Sequence, residues 1–90
     1  MKKDYEIQKD LDNITSTLGL SGVHTMAEPS GKWLHLLIAC NEFENMTQTQ
    51  RENIVWKEFE KHFDDSTILS ITQCYLLSAA EYEEFQLQPQ

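Results

Sequence analysis

Lys32 to Cys40, KWLHLLIAC, is the stretch on which the fold turns. Leu34, Leu36, Ile38 and Cys40 alternate with Trp33, His35, Leu37 and Ala39, the period of two that a strand imposes. Both sets are largely apolar, so the run reads as a central strand, covered on one face and partly on the other. Upstream, Pro29-Ser30-Gly31 carries turn chemistry: proline presets φ and glycine accepts φ > 0. Val23 to Glu28 then supplies the other arm of a β-hairpin. Downstream, Thr47 to Phe63 reads as a long helix. Thr47 and Gln50 fit a capping box at its start, and Ile54, Val55, Phe59 and Phe63 form its buried stripe. Asp64 and Asp65 break that pattern, and a third strand is predicted over Ile68 to Tyr75, with Leu69, Ile71, Gln73 and Tyr75 on one face and Ser70, Thr72 and Cys74 on the other. Ser78 and Glu81 form a second capping box that opens a short helix through Phe85. At the other end of the chain, Ile7, Leu11, Ile14 and Leu18 fall at i, i+4, i+7 and i+11, a helix stopped by Gly19.

The predicted order is α-β-β-α-β-α, an α+β two-layer fold. It has a three-stranded mixed sheet, with the hairpin antiparallel and the third strand parallel to the second across a crossover. The helices are expected on one apolar face. Residues 1–86 make one domain and 87–90 a flexible tail.

Ninety residues hide roughly 60–65% of their unfolded surface, enough for one modest core. Fifteen acids against seven bases leave a net charge of −8. Phosphate-binding surfaces and anionic-lipid docking run on clustered Lys and Arg, so this balance argues against both. An apolar fraction of 40% is too rich for a disordered acidic tail. The longest apolar run, Leu36 to Cys40, cannot span a membrane, and no signal-peptide core follows Lys2 and Lys3. Cys40 and Cys74 are too few for a disulfide scaffold. The reading is a cytoplasmic protein, monomeric or weakly dimeric.

The segment FENMTQTQRENIV (Phe43 to Val55), then ILSI (Ile68 to Ile71) and SAAEY (Ser78 to Tyr82), resembles the BolA family. Its members show F-x-G-M-[ST] before a helix with R-H-R-x-V, then a strand H-A-L-S-I and a closing T-P-x-E-W. Phe43, Met46, Thr47, Arg51 and Val55 match in register, as do Leu69, Ser70 and Ile71. Ser78, Glu81 and Tyr82 match conservatively, and the likeness runs from about residue 20 to 85. The resemblance implies a class II KH-like fold and a non-enzymatic adaptor or regulator. In that family a near-invariant His before the last strand ligates an iron–sulfur cluster shared with a monothiol glutaredoxin. Thr67 stands there instead, and Pro29 to Gly31, where the second ligand belongs, hold neither His nor Cys. Hydroxyls are poor ligands for such clusters, so no cofactor is expected. The family's R-H-R becomes Arg51-Glu52-Asn53, which exchanges two basic groups for an acid and an amide.

The remaining chemistry is sparse. His24, His35, His62, Cys40 and Cys74 lack metal-site spacing, although Cys40 and Cys74 would approach each other if both lay near the ends of parallel neighbours, and His24 would face His35 across the hairpin. Gly19-Leu20-Ser21-Gly22 spells the G-x-x-G of a KH clamp but lacks flanking cations. No Ser/His/Asp or Cys/His order and no phosphate loop appear. Protein recognition is the preferred role. Acids cluster at Glu42 and Glu44, Glu58 and Glu60, Asp64 and Asp65, and Glu81, Glu83 and Glu84, a pattern suited to steering a basic partner. The candidate partner-binding residues are Arg51, Trp56, Asp64, Asp65, Ser66 and Thr67, and the partner implied by the resemblance is a monothiol glutaredoxin. The alternatives are a KH-like nucleic-acid-binding regulator and a cluster-binding glutaredoxin partner with substitute ligands.

Overall fold

A computed structural model of the chain describes residues 4–87. Helix α1 (Asp4–Thr17) leads into the hairpin β1 (His24–Ser30) and β2 (Trp33–Ala39). A five-residue 3-10 helix, Asn41–Asn45, precedes α2 (Gln48–His62), and α3 (Asp65–Ser70), β3 (Ile71–Leu77) and α4 (Ala79–Leu87) complete the order. The sheet runs β1-β2-β3, antiparallel between the first two and parallel between the last two, the α+β arrangement predicted.

The local causes are visible. Gly19 ends α1 with φ 68°, and the turn closes through the Gly19 amide on the Ser16 carbonyl and the Leu20 amide on the Thr15 carbonyl. Pairing of Ser30 with Trp33 leaves Gly31 and Lys32 as a two-residue hairpin turn, with Gly31 at φ 64°. Pro29 and Ser30 therefore lie inside β1, and the turn falls later than the Pro29-Ser30-Gly31 expected from the sequence. The proline is tolerated because β1 is an edge strand. At the start of α2, Thr47 Oγ1 accepts from the Gln50 amide at 3.2 Å while Gln50 Oε1 accepts from the Thr47 amide at 2.9 Å. Ser78 and Glu81 repeat the exchange before α4.

The core lies between the sheet and helices α1 and α2. Ile7, Leu11 and Ile14 meet Leu34, Leu36 and Ile38, with Val55, Phe59 and Phe63 from α2. Helix α4 departs from the one-face arrangement expected for the helices. Tyr82 stacks on His24 at 4.4 Å between ring centroids, and Phe85 lies 5.4 Å from Tyr75, so α4 partly covers the opposite face, where Leu37 is buried.

Two corrections fall in the last third of the chain. Ile68 to Ser70 form helix, not strand. Asp64, expected only to break α2, also begins the next helix: its carboxylate accepts from the Thr67 amide at 2.8 Å as N-cap. The alternation expected along β3 is interrupted, because Leu34 pairs with Ile71 and His35 with Gln73, leaving Thr72 as an extra residue. The bulge lets Ile71 and Cys74 both pack against the core, although a strict period of two assigns them to opposite faces. Helix α4 continues to Leu87, and the remainder of the predicted tail lies outside the described residues.

Candidate functional site

Arg51 is the only arginine of the chain, and α2 carries it into the interior, 7% exposed. Its Nε and Nη2 donate to the Phe43 carbonyl at 3.0 and 2.6 Å, and Nη1 donates to the Leu76 carbonyl at 2.9 Å and to Glu81 Oε1 at 2.7 Å. Its guanidinium carbon lies 5.5 Å from the Phe43 ring centroid. One side chain thus joins the 3-10 helix, the end of β3 and the start of α4. Two buried carbonyls and the half-exposed Glu81 carboxylate take up its donors, so Arg51, itself buried, serves the fold and offers little surface of its own, contrary to its place among the candidate partner-binding residues.

Thr67 is likewise fully buried, on the inward side of α3 with Ser70. Burial removes it from direct contact with a partner. The same helix turns Asp65, Ser66 and Leu69 outward, and Leu69 is 79% exposed. Asp64 is exposed at the helix start, and Ser66 Oγ donates to its Oδ1 at 3.2 Å. Hydrogen bonding from Thr67 and then Ser66 holds the Asp64 carboxyl below its usual range. Trp56 on α2 is half-buried with its ring edge-on to Phe59 at 5.0 Å. Four of the six candidates, Trp56, Asp64, Asp65 and Ser66, thus keep exposed surface, and the structure adds Leu69. A strand assignment gave no reason to single Leu69 out. On a short helix, an outward leucine beside inward Thr67 and Ser70 is a distinct signal.

The acidic clusters divide by role. Glu42 accepts from the Ser21 amide and hydroxyl at 2.8 and 2.7 Å, bonds that lower its carboxyl and tie the Gly19–Gly22 loop to the 3-10 helix. The loop is occupied structurally: Gly22 sits at φ 62°, and a Cβ there would come within 2.6 Å of the Asn41 side chain. Glu58 is buried beside the Lys61 ammonium at 3.3 Å. Glu81 is lowered by the Ser78 amide and by Arg51. Glu44, Glu60, Asp65, Glu83 and Glu84 remain as exposed charge.

The possible thiol and histidine pairs do not assemble. Cys74 lies opposite Leu36, while the Cys40 amide donates to the Leu77 carbonyl, so the two thiols are separated along the strands. Both are free. Burial pushes the Cys40 thiol up, and burial with the nearby Glu52 charge pushes Cys74 up to about 12, so both stay protonated at neutral pH. His24 pairs with Ala39 and His35 with Glu28, four positions out of register with each other. Among the described residues no three His, Cys, Asp or Glu side chains form a metal-binding group, and no helix is long and apolar enough to cross a membrane. A cleft of about 300 Å³ lies under α4, between Tyr82 and Phe85 above and Met26 and Leu37 below.

No family model matches the chain, and no curated protein matches its sequence. Among solved structures, the chain is similar to a Bol-like protein from Babesia bovis, with a TM-score of 0.55 and 14% identity over 96% of this chain and 95% of that one. The likeness spans the length of both molecules and shows a shared BolA-like fold.

Proposed function

We propose that this chain is a small, non-enzymatic adaptor or regulator of BolA type that works through protein contacts at the corner where α2 meets α3. The observation that carries the reading is Leu69, a large apolar side chain 79% exposed on a helix whose first residues are acidic. Leu69, with the half-buried Trp56 beside the core, supplies apolar contact, and Asp64, Asp65 and Ser66 supply a polar rim; this division is typical of recognition surfaces.

Cluster ligation is lost in this reading. Thr67 replaces the family's ligand and is buried, and both thiols are held protonated. Nucleic-acid binding is disfavoured because the single arginine is consumed internally and the net charge is −8.

The test compares the intact chain with Leu69→Asp, by capture from host extract and by titration against a purified monothiol glutaredoxin. A partner held by the wild type and bound at least tenfold more weakly by Leu69→Asp supports the adaptor reading. Identical partner sets for both proteins would sink it. A change in the visible absorption of a glutaredoxin-bound cluster on adding the chain would instead favour cluster sharing through substitute ligands.

A further inference from the structure

Helix α4 covers the second face of the sheet without closing on it. Tyr82 rests on His24 of β1 and Phe85 on Tyr75 of β3, with ring centroids 4.4 and 5.4 Å apart. The two aromatic contacts thus stand on the two outer strands. Between them the helix bridges the central strand, and the cleft of about 300 Å³ is the space left beneath it. Met26 and Leu37, paired across the β1–β2 register, form its floor. Leu37 lies at the bottom, nearly closed off. Met26, Tyr82 and Phe85 are half-buried walls, and Gln86 is exposed at the mouth.

No residue lining the cleft is charged. An ion entering between these walls would lose water without gaining a counter-charge. Anions meet a second penalty, because the exposed Glu83 and Glu84 stand on the same helix. Polar groups are few. The Thr25 hydroxyl accepts from Gln8 and donates to Asp12 at 2.8 Å, so α1 takes it up. Gln86 Nε2 donates to the Tyr82 hydroxyl oxygen at 2.9 Å. The Tyr82 O–H remains as a donor and Gln86 Oε1 as an acceptor, neither with another hydrogen-bond partner among the described residues. Apolar and aromatic walls with one adjacent donor and acceptor suit a small ligand. A cavity of roughly 150 Å³ holds benzene, so this cleft has room for two fused rings. We propose that the cleft under α4 binds a neutral, flat, bicyclic heteroaromatic molecule whose polar edge carries both a donor and an acceptor. Its rings lie between Tyr82 and Phe85 above and Met26 and Leu37 below, and its edge meets Gln86 and Tyr82. Binding takes apolar wall out of water and gives α4 a further support, where none of the helix's own residues is fully buried.

Carbostyril, a neutral bicyclic lactam, is the test ligand, titrated into the isotope-labelled intact chain and followed by NMR and amide hydrogen exchange. Saturable shifts of the Met26 and Leu37 methyl groups are expected, with exchange at least threefold slower along α4 and unchanged in α2. Naphthoate, of similar size but negatively charged, should bind at least tenfold more weakly. Gln86→Leu should weaken carbostyril binding at least threefold. Met26→Phe, which puts a ring into the cleft and leaves both aromatic supports of α4 in place, should abolish the Leu37 shifts. Several results would overturn the proposal: no saturable shift, shifts centred on the exposed Trp33 instead, naphthoate binding as tightly as carbostyril, or unimpaired binding in either variant.

Discussion

Replacing Arg51 with alanine takes the donors away from two carbonyls, those of Phe43 and Leu76, and removes the counter-charge of Glu81. An orphaned buried acceptor costs about 1–3 kcal/mol, so Arg51→Ala is expected to lose about 2–5 kcal/mol in chemical denaturation. Arg51→Lys should recover only part of this, because an ammonium lacks the planar fork that reaches the acceptors together. The sequence marked Arg51 through its place in a motif but could not show its role, since its acceptors lie 8, 25 and 30 residues away. Thr67 has the same difficulty: a hydroxyl side chain looks surface-compatible until a helix turns it inward. Trp56, a candidate contact residue in the sequence, is half-buried against Phe59.

At the scale of the element, the legible features were the local ones. Both capping boxes and the glycine stop after α1 depend on near neighbours and form as read. Of the stripe Ile7, Leu11, Ile14 and Leu18, the first three are buried on α1, while Leu18 falls in the turn after it and packs only partly on the core. The errors arose where two signals competed. Ile68 to Ser70 has strand-like composition, but Asp64 caps a helix there, and the Thr72 bulge shifts the faces that alternation alone assigns. Helix α4 gives the sharpest test, because none of its residues is fully buried and the Ser78–Glu81 capping box fixes its start. Ser78→Ala should cost about 1 kcal/mol. Amide exchange should accelerate along α4 and stay unchanged in α2; an equal acceleration in both helices would show that the cap acts on the global fold instead.

Across the whole molecule, the α-β-β-α-β-α order and the mixed sheet were legible because hydrophobic period and turn chemistry agree along most of the chain. The second covered face was foreshadowed by the apolar Leu37 and Ala39, but the helix that covers it has no apolar stripe to announce itself. The acidic surface makes one further demand. Glu42, Asp64 and Glu81 are lowered from ordinary values of 4.5, 3.8 and 4.5 by hydrogen bonds present only in the fold. A carboxyl lowered on folding contributes stability above its unfolded value and loses it as pH falls through the folded value. Urea midpoints should therefore hold steady down to about pH 5 and decline below it. Glu81→Gln should flatten that decline, whereas an unchanged slope would remove Glu81 as a contributor. Relief of repulsion among the excess carboxylates acts in the opposite direction, so the variant comparison is more telling than the slope alone. The Arg51 tie also bears on how the chain reaches this state. Helix α2 can form from its own capping box and the Phe43 carbonyl just upstream can take two of the guanidinium's donors, but the Leu76 carbonyl and the Glu81 counter-charge come only when β3 and α4 arrive. A half-assembled core would have to keep that charge in water or bury it unpaired, so partial structures are penalised until the last strand docks. The residue that fastens the finished fold thus also narrows the route to it and favours all-or-none folding over a populated intermediate.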